Sequence, residues 1–113
     1  MKTLGHVPIC GMEVPLRSGT EKDCQDPKGA YGCYVVDTAT IWMDQNVPPH
    51  AGPFWCTHEA LHALLNNSGA LRMTAALLDQ KIGSVAMERW EENLIRVLTP
   101  HIIETFGAAK VFK

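Results

Sequence analysis

Pro53-Phe54-Trp55-Cys56-Thr57-His58-Glu59-Ala60-Leu61-His62-Ala63-Leu64-Leu65-Asn66 is the point at which a chain of 113 residues changes character. Upstream of it the sequence is rich in Pro, Gly and β-formers; from it onward Ala, Leu, Glu and Met dominate and apolar residues recur at helical spacing. Pro53 suits the first turn of a helix, where its missing N–H has no intrahelical partner to lose. Phe54, Leu61, Leu64 and Leu65 give that helix an apolar face. Asn66-Asn67-Ser68-Gly69 then supplies residues that tolerate a left-handed stop, so the spacing predicts a helix from Pro53 or Phe54 to Asn66.

Working outward, Asn46 to Pro53 breaks any regular structure, with three prolines in eight residues. Before it, Tyr31 to Val36 and Thr40 to Met43 are β-branched and aromatic and flank Asp37-Thr38-Ala39, which reads as a tight turn. Leu4 to Ile9 and Met12 to Leu16 form a second hairpin around Cys10-Gly11, with Pro8 and Pro15 confined to edge or end positions because neither donates to a ladder. Ser18 to Gly29 is loop chemistry throughout. Downstream, a short helix is expected from Leu71 to Gln80 or Lys81. A third, capped by Ser84, runs through Met87, Leu94, Ile95, Leu98 and Ile102 to Phe106, ended by Gly107 and kinked or broken near Val97 to Thr99 by Pro100. The fold class that follows is α+β: N-terminal antiparallel strands, then a three-helix region, in one domain over residues 1–113.

Composition agrees with that economy. A chain that is 46% hydrophobic and 19% charged at this length builds one core. Ten Lys and Arg against twelve Asp and Glu, a net charge of -2, exclude the basic footprint through which nucleic acid or an anionic membrane is bound. No apolar run approaches the ~20 residues that span a bilayer, and the start lacks the apolar stretch of a secretion signal, so a cytoplasmic protein is expected. Cys10, Cys24, Cys33 and Cys56 include no CxxC, and reduced, mostly buried thiols are the expectation, with a bridge from Cys10 to Cys24 or Cys33 as the alternative.

The chemistry lies in His58-Glu59-Ala60-Leu61-His62. Residues i and i+4 of a helix share one face, so two imidazoles converge on a single metal ion while Glu59 projects beside them as a general base toward a water. With five His in the chain, random placement yields about 0.01 such HExxH strings. Zn2+ is the implied cofactor, and a site of this kind needs a third protein ligand. No further histidine follows at metzincin spacing. The downstream candidates are Glu88, Glu91, Glu92, Glu104, Asp79 and His101, and a glutamate of the third helix is favoured. On a wheel of about 100° per residue, Leu94, Ile95, Leu98 and Ile102 centre on Glu91, with Glu88 roughly 60° and Glu92 roughly 100° away. Helix phase therefore favours Glu91.

From Gly32 to Ile103 the chain resembles the small gluzincin-like metallopeptidase domains of phages and prophages, related to the IrrE/ImmA-type proteases. The resemblance is carried by Tyr34-Val35-Val36-Asp37 and Thr40-Ile41-Trp42-Met43-Asp44, by Thr57 to Leu65, and by Glu91-Glu92-Asn93-Leu94-Ile95-Arg96-Val97-Leu98-Thr99-Pro100. It implies a zincin-like domain in which Glu92, three residues before Ile95, is the third ligand beside His58 and His62, with Glu91 the alternative and Glu88 third. It also implies a sheet against the metal helix whose edge strand holds an extended peptide. The sequence departs from the IrrE pattern, which follows its glutamate with Ala-Asn and a later Leu-Leu-Met-Pro.

Two functions of different class follow. One is a zinc-dependent peptidase acting on a protein or peptide, with Glu59 as catalytic base. The other is a catalytically inactive zincin-like module that binds zinc and regulates a protein partner. An intact Glu59 favours the first, and Cys56 as a fourth ligand would favour the second by closing the open position. Tyr31, Tyr34 and His50 are candidates to hold an oxyanion. Trp42, Trp55 and Trp90 are expected in the core or lining a groove.

Overall fold

The computed structural model describes residues 2–20 and 31–109. Four strands precede three helices, so the structure is α+β as the sequence implies: β1 (Lys2–Ile9), β2 (Met12–Gly19), β3 (Gly32–Val35), β4 (Thr40–Asp44), α1 (Gly52–Asn67), α2 (Ala70–Leu77) and α3 (Val85–Ala109). Both hairpins form where expected. Cys10 and Gly11 have φ of 52° and 77°, the left-handed pair that matches a two-residue turn to the twist of its strands. The second turn is a short 3-10 segment, Val36–Thr38, closed by Ala39 at φ 47°.

The hairpins join through β2 and β4, which run parallel, giving a mixed sheet in the order β1-β2-β4-β3. Pro15 explains where that joint begins. It pairs with His6 of β1, and pairing with β4 starts at the next residue, Leu16 against Ile41. The missing N–H of Pro15 thus falls where β2 has no second neighbour. The joint extends to Ser18↔Met43 and Gly19↔Asp44, so Ser18 and Gly19 are strand rather than loop: the parallel neighbour supplies ladder partners that their local sequence does not advertise. Thr20 is outside the strand, and the rest of the expected loop, from Glu21 through Gly29 with Cys24 within it, lies outside the described residues.

One core layer lies between the sheet and α1, where Ile9, Val14, Ile41 and Ala63 are buried, with Val7, Leu16, Tyr34 and Ala60 packed against them. A second lies between α2 and α3: Leu71, Ala75 and Met87, covered by Trp90. The expected apolar face of α1 is not the face that is buried. Its buried residues are His58, Glu59 and Ala63, while Leu64 is 42% exposed. Because α1 is packed against the sheet and also against α3, small Ala60 and Ala63 meet the sheet, and the polar positions beside them are enclosed.

Helix ends follow the sequence with two exceptions. Pro53 stands in the first turn of α1 and Gly69, at φ 82°, takes the left-handed conformation after it. Ser84 caps α3, its hydroxyl accepting from the Met87 N–H at 3.3 Å. α2 ends at Leu77, short of Gln80, and α3 runs on through Pro100 and Gly107 to Ala109. Near the expected break, fully buried Thr99 donates its hydroxyl to the Ile95 carbonyl at 2.6 Å, a local bond that ties the turn preceding the proline.

Two cysteine expectations change. Cys33 is in a disulfide rather than reduced, and Cys10, a free thiol, is exposed rather than buried. Among the described residues, no helix is long and apolar enough to cross a membrane.

Candidate metal centre

α1 brings His58, Glu59 and His62 together by its own periodicity, and their ligand atoms lie within 4.8 Å of one another. The two imidazoles are one turn apart, with ring centroids 5.1 Å apart. α3 packs on the same helix and contributes two adjacent carboxylates, which the helical rotation of about 100° per residue sends to different atoms. Glu92 offers Oε1 to His62 Nε2 at 2.9 Å and Oε2 to His58 Nε2 at 3.7 Å. Glu91 accepts instead from His62 Nδ1, on the far side of that ring. Glu88 is exposed, as are Asp79, His101 and Glu104.

Glu59 and Glu92 thus both stand near the third place beside the histidines. Glu59 Oε1 stands 3.9 Å from His58 Nε2, farther than either Glu92 contact. Donors about 2.0–2.2 Å from one tetrahedral zinc stand roughly 3.3–3.6 Å from each other. Glu92 approaches the two Nε2 atoms through different oxygens, Oε1 at 2.9 Å from His62 and Oε2 at 3.7 Å from His58, one distance on either side of that value. The donor set of two imidazoles and a carboxylate fits zinc chemically, and Glu59, 4% exposed, is left beside it.

The two rings are held by different forces. His58 lies against Phe54, stacked at a centroid distance of 6.1 Å, and against Trp55 at 5.4 Å. Its Nδ1 is buried and has no hydrogen-bond partner among the described residues. Burial, reinforced by the positive charge of His62, pushes the His58 pKa below its ordinary 6.5, against the pull of Glu92. Burial acts on His62 in the same direction. There, however, the hydrogen bond donated to Glu91 and the charges of Glu59, Glu91 and Glu92 outweigh it, and the pKa rises above 6.5. Carboxylates face His62 at both ring nitrogens, Glu91 at Nδ1 and Glu92 at Nε2.

Trp55 continues outward to Tyr31, with centroids 5.9 Å apart and the rings edge to face, so an aromatic row runs from His58 to the surface. Phe54 and Trp55 were not singled out as neighbours of the site, although their positions four and three residues before His58 put them on its face. Tyr34 is tied elsewhere, donating to Asn67 Oδ1 at 3.0 Å, and His50 is exposed in its loop. Trp42 is core, 1% exposed. Cys56 stands outside the converging donors, and burial together with the charge of Glu59 pushes its thiol pKa up, away from the thiolate that binds metal.

Gly32 was also missed by the sequence reading. It opens β3 at the sheet edge, and a Cβ there would stand 3.2 Å from Glu59 Cγ and 3.0 Å from the Trp42 carbonyl oxygen. Only a glycine lets the strand backbone approach Glu59 this closely. No protein-family model matches the chain, and no curated protein or solved structure matches it.

Proposed function

We propose that this chain is a zinc-dependent peptidase of the small gluzincin-like kind that its sequence resembles. The observation that carries the reading is the convergence of Glu92 on both Nε2 atoms of His58 and His62, with buried Glu59 beside them. His58, His62 and Glu92 would hold the ion. Zinc bound there would supply Lewis acidity to the scissile carbonyl and to the attacking water. Glu59 takes the proton from that water as its oxygen attacks, and returns it to the nitrogen of the leaving amine as the peptide bond breaks. Phe54 and Trp55 exclude solvent from one side of His58. β3 is an edge strand of the sheet and packs on α1, which supports an extended peptide running along it past Glu59. The site of action is proposed as the cytoplasm; the disulfide at Cys33 is the bond that a reducing compartment would work against.

Elemental analysis of the purified protein tests the reading. One zinc per chain is expected for the wild type, falling to near none in His58→Ala and Glu92→Ala. Incubation of the zinc-loaded protein with a mixed peptide pool, read by mass spectrometry, should then yield new amino termini. A wild type that takes up no zinc sinks the proposal. Zinc without cleavage leaves the regulatory module instead.

The protonation of His62 adds a pH dependence. Metal must displace a proton from Nε2, so apparent zinc affinity should fall about tenfold per pH unit below the pKa of His62 and level off above it. Since that pKa is raised, the plateau begins above pH 6.5. His58, whose pKa is lowered, is already neutral there and does not compete. Chelator competition across roughly pH 5.5–8.5 measures the slope, and a flat profile would contradict the assignment of His62 as a ligand.

A further inference from the structure

The geometry points to Glu91 as a positioning residue that fixes the tautomer and orientation of His62 without touching the metal, an inference that rests on the zinc reading above. Helix phase alone favours Glu91 for the site, and the structure brings it there, but to the other ring nitrogen. Glu91 Oε2 accepts from Nδ1 of His62, while Glu92 faces Nε2. An imidazole whose Nδ1–H is engaged by a carboxylate has its remaining lone pair on Nε2, where the second histidine also points its own Nε2. The contact is well sheltered, with side chains 16% and 20% exposed for His62 and Glu91. It is also braced, because Ile95, one turn after Glu91, is fully buried and fixes the rotation of α3 about its axis.

The comparison with His58 sharpens the assignment. That ring has no partner at Nδ1 among the described residues and is clamped by Phe54 and Trp55 instead. Its orientation is steric; that of His62 is electrostatic. The site therefore has one histidine whose donor strength is raised by a carboxylate and one whose donor strength is not. Loss of Glu91 should weaken the metal without removing a ligand.

Zinc affinity of the full chain, measured by competition with a chromophoric chelator, tests this in Glu91→Gln, Glu91→Leu and Glu92→Ala. Glu91→Gln keeps an acceptor oxygen and loses the charge, so affinity should fall about 10- to 100-fold while stoichiometry stays at one zinc. Glu91→Leu should fall further, and Glu92→Ala furthest. A downfield Nδ1–H proton resonance of His62 in the zinc-loaded wild type should move upfield in Glu91→Gln and vanish in Glu91→Leu, a signature that a merely structural role would leave in place. Unchanged affinity in Glu91→Gln overturns the inference. So does loss of all zinc in Glu91→Gln with retention in Glu92→Ala, which would make Glu91 the ligand. Absence of zinc from the wild type is a different result and removes the peptidase reading itself.

Discussion

Glu59→Gln should lower peptide hydrolysis by about 10²–10⁴-fold and leave one zinc per chain in place. The amide has nearly the shape of the carboxylate and fills the same enclosed position, 4% exposed, between α1 and the first residue of β3. It cannot take a proton from water. Its loss removes general base and proton carrier together, whereas His58, His62 and Glu92 keep their donors. Rates on the peptide pool and zinc content, taken on the same preparation, decide the matter. Persisting hydrolysis would show that another group moves the proton. Departure of the zinc would show that Glu59 is a ligand, the role its place within 4.8 Å of both histidine donors also permits.

Gly32→Ala is the second large effect, and it comes from outside the motif. A methyl at Gly32 meets three atoms: the Trp42 carbonyl oxygen at 3.0 Å, Met43 Sδ at 3.1 Å and Glu59 Cγ at 3.2 Å. The first belongs to the backbone of β4 and is fixed by the ladder, so the two side chains must give way. Displacement of Met43, 4% exposed, repacks the core at a loss of about 1–3 kcal/mol. Displacement of Glu59 moves the base away from the attacking water, and a shift of about 1 Å costs on the order of 10²-fold in rate. Urea unfolding and hydrolysis measured side by side should both fall, with zinc affinity near that of the wild type. An unaltered rate in a destabilised Gly32→Ala would detach this glycine from the chemistry.

Much of this architecture could be read from the chain because it depends on neighbours in sequence. Cys10-Gly11 makes its turn from two residues, Ser84 caps from three away, and His58 and His62 meet because a helix returns every four. What could not be read depends on partners far along the chain. The strand nature of Ser18 and Gly19 is conferred by Met43 and Asp44 across a parallel joint. The apolar stripe Phe54, Leu61, Leu64 and Leu65 is a property of α1 alone, whereas the burial of His58 and Glu59 is imposed by the layers on either side. Phase favours Glu91 over Glu92, whereas the structure brings both to His62, at different nitrogens of one ring, a division that rotation about the helix axis does not reveal. Cys33 departs from the expectation for another reason: absence of a CxxC says nothing of disulfide pairing at other spacings.

The enclosed face of α1 has an evolutionary corollary. Where a helix lies between two packed layers, folding alone favours aliphatic side chains, and here two of its three buried positions are His58 and Glu59. Under drift without selection for the site, apolar replacements at these two positions would be among the readiest to persist, since they relieve the desolvation of polar groups. A lineage under selection for chemistry at this site would be expected to keep His58-Glu59 in this setting. Directed evolution scored only for thermal resistance would be expected to erase the motif early.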